Sequence, residues 1–145
     1  MSETMRHAET EADIALCFPL MRELRPHLSG VEEFVVRVNR QRADGYRLLA
    51  AWRNGVPQGL AGYRMTEMLV RGPFCYVDDL VVRPDGRRSG LGARLLDAVA
   101  AEARRKGLPD LVLDTALGNA LGQRFYFRYG MLPTALRFAK RLDRP

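Results

Sequence analysis

The sequence predicts a mixed α/β (α+β) fold, with one twisted, mostly antiparallel mixed sheet of about six to seven strands and helices on both faces. The strand-like middle of the chain, joined by the hairpin signal Asn54-Gly55, predicts the antiparallel part. A strand–turn–helix–strand pattern over residues 76–115 predicts a parallel crossover. The length of 145 residues, of which 47% are hydrophobic, suits one core. We therefore predict a single domain over residues 1–145.

The N-terminal part of the chain is predicted to contain a short strand and two helical regions. The strand covers residues 5–8, and residues 9–28 then carry apolar side chains at mostly helical spacing. Pro19 lies inside this region, so we expect a kink or a helix that begins near it. A second helix over residues 31–42 is apolar on one side. His27 is a candidate catalytic residue, although a lone histidine near a helix end is more often structural.

The middle of the chain is predicted to form three antiparallel strands. They cover residues 46–52, 56–69 and 74–82 and are separated by turn signals. Glycine inside a strand often marks a bulge, so we expect an irregularity at Gly59 or Gly62. The third of these strands leads directly into the segment of residues 80–98, which contains the candidate binding motif.

The segment of residues 80–98 is predicted to bind an anion. Pro84 ends the strand and Asp85-Gly86 forms a turn. Gly90 and Gly92 follow, and a helical pattern begins beside them. The first amides of a helix lack intrahelical partners and the helix dipole adds positive potential, so an anion is stabilised there. Glycines allow its oxygens to approach the backbone.

Two other phosphate-binding motifs are excluded for this segment. A nucleotide P-loop requires Gly-x-x-x-x-Gly-Lys-Ser/Thr, which the chain lacks. A dinucleotide site requires a third glycine where Leu95 stands. Arg87, Arg88 and Arg94 add positive charge around the turn. We interpret the segment as a pyrophosphate cradle.

The last third of the chain is predicted to contain a strand, a helix and a final strand. A short buried strand covers residues 111–115, and a helix over residues 119–129 ends at Gly130. Residues 132–142 alternate apolar and polar side chains, which predicts the last strand.

Two motifs resemble those of the GNAT superfamily, the Gcn5-related N-acetyltransferases. Leu80-x-Val82-x-Pro84 followed by Arg87-x-x-Gly90-x-Gly92 resembles their acetyl-CoA-binding motif. The segment from Asn119 to Gly130 resembles their Asn-x-x-Ala-x-x-x-Tyr-x-x-x-Gly-Phe segment, with Gly122 in place of Ala and Met131 in place of Phe. The order of elements resembles the GNAT fold over nearly the whole chain.

The resemblance implies acetyl-CoA as cosubstrate and no metal. Backbone groups of the strand before the turn would pair with the pantetheine arm, Asn119 would hydrogen-bond it, and Tyr126 would lie near the thioester sulfur as a proton donor. The cofactor-binding residues implied in this way are Leu80, Val81, Val82, Arg87, Arg88, Ser89, Gly90, Leu91, Gly92, Ala93, Asn119 and Tyr126.

Transfer of an acetyl group to an amine also requires a proton acceptor. The candidates are the carboxylates Asp79, Asp114 and Asp78, of which we expect Asp79 or Asp114 to act with Tyr126 as catalytic residues. Adjacent Asp78 and Asp79 should point to opposite faces of the sheet unless a bulge intervenes. The alternative is that these carboxylates pair with nearby arginines.

The composition limits the kinds of partner that the protein is expected to bind. The net charge of +6 and the pI of about 9.9 suit an anionic cosubstrate and keep nucleic acid as a secondary partner. Two cysteines are too few for a disulfide framework and fit a reducing interior. No apolar run reaches the roughly 18 residues that span a bilayer, and no signal peptide is evident, so a cytoplasmic location and no membrane partner are expected. A homodimer is left open.

Three functions are therefore weighed. The first is N-acetyl transfer from acetyl-CoA to a primary amine of a small molecule or protein. The second is a non-catalytic, regulatory acyl-CoA-binding module, and the third is an acetyltransferase associated with tRNA or another nucleic acid. By resemblance, the acceptor would bind between the N-terminal helices and loops, roughly residues 24–33 and 67–73.

Overall fold

A computed structural model gives the structure of residues 3–87 and 89–143. The chain divides into two compact units, one up to Asp114 and one from Thr115, and each is described by itself. The elements of the first unit are β1 (Thr4–His7), α1 (Glu11–Leu16), α2 (Phe18–Leu24), α3 (Val31–Arg42), β2 (Arg47–Arg53), β3 (Val56–Met68), β4 (Gly72–Val82), a 3-10 turn (Pro84–Gly86), α4 (Leu91–Arg105) and β5 (Leu111–Leu113). The second unit contains α5 (Ala120–Tyr129).

One sheet organises the first unit. Its strands lie in the order β1-β2-β3-β4-β5, with antiparallel pairing among the first four and parallel pairing between β4 and β5. The prediction of a mixed, mostly antiparallel sheet with a parallel crossover through α4 is confirmed. The described residues form five strands, fewer than the six to seven expected.

Helices cover both faces of this sheet, as predicted. The cluster under α1, α2 and α3 joins buried side chains of these helices to β2, β3 and β4: Ile14, Phe18, Leu20, Met21, Phe34, Val38, Leu48, Leu60 and Val81. On the other face α4 packs on β3 and β4. It approaches so closely that a Cβ on Gly59 would lie 2.8 Å from Leu95 Cδ1. Burial of these apolar surfaces is the main source of stability.

The N-terminal helical region is divided in two, as its proline predicts. Cys17 ends α1 and begins α2, in which Pro19 occupies one of the first two positions. Proline is tolerated there because the first N–H groups of a helix have no intrahelical acceptor. Helix α3 covers the predicted range.

The predicted hairpin turn is present, and the irregularity expected at Gly59 or Gly62 is present at both positions. Asn54 and Gly55 have φ of 53° and 73°, the left-handed values that a tight hairpin turn requires. The β2–β3 register shifts beside Gly59. The β3–β4 register shifts beside Gly62, whose partner is Asp79, so that Asp78 is the extra residue of a bulge.

The second unit corrects one prediction. Helix α5 begins after Asn119 and ends at Gly130, which has a φ of 98°, in agreement with the sequence. Residues 131–141 have no regular secondary structure, so the predicted strand over residues 132–142 is wrong. Alternation places apolar side chains on one side but supplies no hydrogen-bonding neighbour, and α5 is the only regular element among the described residues of this unit.

Candidate active site

The turn between β4 and α4 has the geometry of an anion site. Gly90 is the N-cap of α4 in the left-handed conformation, with φ of 83°, and gives no side-chain cap. The N–H of Arg94 donates to the Gly90 carbonyl at 3.0 Å, so the helical hydrogen bonds begin there. The amides of Leu91–Ala93 precede that bond and remain available, and the first turn contains no acidic residue.

Hydrogen bonds from its own residues hold the turn in shape. The N–H and the Oγ of Ser89 both donate to the carbonyl of Gly86, the N–H at 3.3 Å. Arg94 donates from Nη1 to the Ser89 carbonyl at 3.1 Å and from Nη2 to Glu3 Oε1 at 2.9 Å. The guanidinium of Arg94 therefore stabilises the turn, and the carboxylate of Glu3 partly neutralises its charge.

These residues fit the pyrophosphate of acetyl-CoA. A side chain at Gly90 would be strained by its positive φ, and glycine leaves the amides of Leu91–Ala93 open to an anion. Arg87 is exposed beside the turn, and Arg88 lies outside the described residues. The side chain of Val81 is buried, and its backbone groups face Leu60 of β3, so Val81 is not among the outward-facing residues at the end of β4.

Among the described strands, none pairs with the end of β4 on the β5 side. Strand β5 ends at Leu113 opposite Val77, whereas β4 continues to Val82. The N–H of Arg83 donates to a β3 carbonyl at 2.9 Å. Because backbone groups alternate along an antiparallel strand, those of Leu80 and Val82 are directed to the side on which β5 has ended. An extended ligand could pair with them there.

Asp79 is held by two donors. Arg25 Nε donates to its Oδ1 at 2.9 Å, and the Tyr46 hydroxyl donates to its Oδ2 at 2.8 Å. Burial, followed by the charge of Asp79 and the hydrogen bond to it, raises the pKa of the Tyr46 phenol well above its usual value. Tyr46 therefore keeps its proton and remains a donor to the carboxylate.

Asp78 is engaged in a separate ion pair. Arg64 Nη2 lies 2.9 Å from Asp78 Oδ2, and the same nitrogen donates to Gln41 Oε1 at 2.6 Å. Burial raises the pKa of Asp78 despite this arginine. The Arg64 guanidinium, which pairs with Asp78, lies over the Tyr46 ring, 5.3 Å from its centroid, and the Tyr46 hydroxyl binds Asp79. The bulge therefore brings both aspartates to the same region. The expectation of opposite faces is therefore replaced by the bulged alternative.

A cleft of about 210 Å³ opens next to Asp79. It lies among α2, α3 and the loop between them. Its lining residues are Met21, Arg25, His27, Leu28, Phe34, Arg37, Val38, Gln41, Tyr46 and Asp79. A carboxylate at the wall of an apolar cleft is an arrangement that can receive an amine. Of the three candidate carboxylates, Asp79 is the one that lines it.

Asp114 lies at the end of the first unit, next to Tyr76. The Tyr76 hydroxyl donates to Asp114 Oδ2 at 2.7 Å, and Asp114 is exposed. Asp114 lines neither of the two clefts described here.

In the second unit, Asn119 caps α5. Its carboxamide oxygen accepts from the N–H of Gly122 at 3.0 Å, and its Nδ2 donates to Thr115 Oγ1 at 3.0 Å. A Cβ on Gly122 would collide with this carboxamide, which explains glycine at that position. Tyr126 lies edge-on to Phe125, with ring centroids 5.2 Å apart.

The sequence interpretation missed three members of the first unit's site: Arg25, Tyr46 and Arg64. Arginine and tyrosine at these positions carry no motif, and the bulge that turns the aspartates toward them is a tertiary feature. The one signal available was glycine at position 62. A Cβ there would collide with the Tyr46 hydroxyl, so this glycine makes room for the phenol.

A larger cleft of about 330 Å³ lies elsewhere, against β1, β2 and the end of α3. Its charged and titratable lining consists of three cationic side chains, one histidine and one carboxylate: Arg42, Arg47, Lys106, His7 and Glu9. The imidazole of His7 already has a hydrogen-bond partner within the fold, since its Nε2 lies 2.8 Å from the Tyr63 hydroxyl. None of the predicted site residues lines this cleft.

Within residues 3–87 and 89–143, no helix combines the length and the apolar character needed to cross a bilayer. Nor do three or more His, Cys, Asp or Glu side chains of these ranges come together as metal ligands would.

Comparison with known proteins identifies similar chains. Residues 10–131 match the model of the acetyltransferase (GNAT) family. A comparison with curated protein sequences gives no match. Among solved structures, an aminoglycoside N-acetyltransferase in complex with CoA is similar, with a TM-score of 0.84 and 21% identity over 97% of this chain and 94% of that one.

Two other solved structures are similar at comparable identity. An acetyltransferase from Trypanosoma brucei has a TM-score of 0.79 and 21% identity over 97% of this chain and 100% of that one. Glucosamine-6-phosphate N-acetyltransferase from Arabidopsis thaliana has a TM-score of 0.76 and 20% identity over 99% and 100%. At such identities these likenesses establish the fold.

Proposed function

The chain belongs to the acetyltransferase (GNAT) family, and from that premise we propose that it transfers an acetyl group from acetyl-CoA to a primary amine of a small molecule or protein. Solved structures similar to it include one with CoA and one with acetyl-CoA. The observation that carries the proposal is the uncapped N-terminus of α4 directly after the open end of β4.

The chain offers two kinds of backbone group to acetyl-CoA. The amides of Leu91–Ala93 would receive the pyrophosphate, and the outward backbone groups of Leu80 and Val82 would pair with the pantetheine arm. The exposed guanidinium of Arg87 would add a charge-assisted contact. When bound, acetyl-CoA supplies an activated acetyl thioester.

Asp79 is our candidate for the group that receives the acceptor's proton. It lines the cleft beside the end of β4, and each of its oxygens keeps a lone pair beyond the bonds from Arg25 and Tyr46. The acceptor nitrogen forms the C–N bond as the C–S bond breaks, and its proton passes to Asp79 directly or through water. Asp114 is the second candidate.

Tyr126 is our candidate for the proton donor to the departing sulfur. A phenol with a pKa of about 10 is protonated near neutral pH, and a thiolate is basic enough to accept from it. Asn119, two helical turns earlier, would bind the pantetheine arm, which requires its carboxamide to exchange part of its capping bonds. The proton gained at Asp79 and the proton lost from Tyr126 balance over one turnover.

The test measures binding and turnover separately. Calorimetry should detect acetyl-CoA binding, and thiol release should follow on addition of amines and peptides. Binding without thiol release for any acceptor would favour the regulatory module instead. Association with RNA whose log affinity falls linearly with log salt would favour the nucleic-acid-associated function.

A further inference from the structure

We propose that the cleft beside Asp79 selects acceptors that carry an acidic group, a carboxylate or a phosphate, near the reactive amine. The inference rests on the proposed function, because it names the class of acceptor for the same site. It is carried by the guanidinium of Arg37, which lines the cleft, makes no hydrogen bond within the described residues and lies 3.8 Å from its ion-pair partner Glu33.

Helix α3 presents one stripe to the cleft. Phe34, Arg37, Val38 and Gln41 follow each other at the spacing of a single helix face and all line it. Phe34 and Val38 are buried, and Gln41 accepts from Arg64. Arg37 is therefore the charged member of this stripe, and its guanidinium is available to a ligand.

Glu33, the ion-pair partner of Arg37, accepts its hydrogen bonds from Ser29 and not from Arg37. Glu33 lies 3.8 Å from Arg37 Nη1, beyond hydrogen-bond distance. Its two oxygens accept instead from the N–H and the Oγ of Ser29, at 3.3 and 3.0 Å. Throughout the described residues, the Arg37 guanidinium makes no hydrogen bond to the chain, and its side chain is 42% exposed. A carboxylate or phosphate could thus take two of its donors at once.

The other charges of the cleft favour the same acceptor. Asp79 is already matched by Arg25 at 2.9 Å, whereas the ion pair of Arg37 with Glu33 is looser, at 3.8 Å, so Arg37 is the arginine more available to a second anion. His27 adds a polar group at the exposed edge, and hydrogen bonds from Ser29, with the charges of Arg37 and His27, lower the pKa of Glu33. A polycationic acceptor would meet two arginines here, whereas an acid-bearing amine places its nitrogen toward Asp79 and its anion toward Arg37.

The rest of the cleft limits the size of the acceptor. Met21, Leu28, Phe34 and Val38 supply apolar walls. The volume of about 210 Å³ is below the roughly 300 to 1,000 Å³ of typical drug-sized sites. A small amine with one apolar group and one acidic group, or the end of a longer chain with these features, matches it.

Matched acceptor pairs test the inference. L-phenylalanine is compared with L-phenylalaninamide, and O-phosphoethanolamine with ethanolamine, by kcat/KM from thiol release at saturating acetyl-CoA; spermidine is the polycationic probe. At least one acid-bearing member should exceed its uncharged partner by about tenfold or more, as a charge-assisted bidentate contact allows. The two pairs show whether the anion is a carboxylate or a phosphate.

Two variants assign the preference. Arg37→Gln should reduce it to about twofold or less. Arg40→Gln, which removes an equal charge from an exposed position of the same helix outside the cleft, should retain it. Equal melting temperatures would show that both variants are folded. A preference that survives Arg37→Gln overturns the inference.

The remaining outcomes separate this inference from the function on which it rests. If the amide, ethanolamine or spermidine is acetylated as well as the acid-bearing amines or better, the selectivity is wrong and the acetyltransferase stands. If acetyl-CoA binds and none of the five probes is acetylated, the selectivity is likewise rejected. If acetyl-CoA does not bind, the proposed function fails and the selectivity fails with it.

Discussion

The hydroxyl of Tyr46 donates to Oδ2 of Asp79 at 2.8 Å, and Gly62 leaves the space in which this bond forms. Gly62 is the β3 partner of Asp79, at the point where Asp78 bulges out of β4. A single glycine thus determines whether a buried phenol can reach the carboxylate that lines the cleft.

Gly62→Ala should displace Tyr46 and destabilise the fold. The new Cβ would overlap the phenol in a packed interior, and overpacking of this kind costs about 1 to 3 kcal/mol. Urea unfolding measures the change in the free energy of unfolding. Gly118→Ala is the control, because nothing lies within 4 Å of a Cβ there. Equal stabilities of the two variants would contradict the role of Gly62.

Asp79→Asn should lower turnover far more than Asp114→Asn. The amide keeps the shape of the side chain but accepts no proton, so kcat should fall by about 100- to 10,000-fold if general base catalysis operates fully. Acetyl-CoA affinity should stay nearly unchanged, since the cofactor site proposed above is formed by the turn before α4. The reverse order of the two variants would assign the base to Asp114, and full activity of both would require another proton acceptor.

Local sequence patterns were sufficient to predict the conformation of the turn before α4. A proline that ends a strand, a glycine with positive φ and a helical pattern directly after it are each legible without tertiary contacts, and Gly90 has φ of 83° as such a turn requires. The same holds for the hairpin at Asn54 and for the helix break at Pro19.

The cleft beside Asp79 could not be predicted in the same way. Which face Asp78 and Asp79 share depends on a one-residue bulge, and a bulge depends on the pairing of β3 with β4. Arg25 reaches Asp79 across 54 positions of the chain, a contact that no local pattern encodes. The strand predicted over residues 132–142 is wrong for the opposite reason. Its alternation of apolar and polar side chains is a local pattern, whereas a strand requires a neighbouring strand to pair with.

Gly90→Asp should abolish acetyl-CoA binding. The carboxylate would repel the pyrophosphate at the helix N-terminus, and a residue with a Cβ is strained at a φ of 83°. Calorimetry measures the affinity. Gly107→Ala introduces a Cβ at a φ of 75° just beyond the other end of α4, so it should share the strain and keep the affinity. Unchanged binding by Gly90→Asp would remove the anion site from this turn.

The two cysteines should resist alkylation while the protein is folded. Burial raises the pKa of the Cys17 thiol to about 12 and that of the Cys75 thiol to about 11. At pH 8 only about one Cys75 in a thousand is a thiolate, the reactive form. Mass spectrometry after iodoacetamide treatment should find no adduct in buffer and two in 8 M urea, where roughly all burial is lost. Rapid labelling in buffer would contradict the burial of these side chains.

Tyr126→Phe should slow the chemical step while leaving the fold and acetyl-CoA binding intact. The variant keeps the ring that packs edge-on against Phe125 and removes only the proton donor, so the single-turnover rate should fall by about 100- to 10,000-fold if general acid catalysis operates fully. Quenched-flow measurement at saturating acetyl-CoA isolates this step. Tyr129→Phe, which removes a phenol from the same helix, controls for the loss of a hydroxyl. A Tyr126→Phe rate within about twofold of the parent would mean that the ring serves packing and that the sulfur takes its proton from another donor, since general acid catalysis contributes far more than that factor.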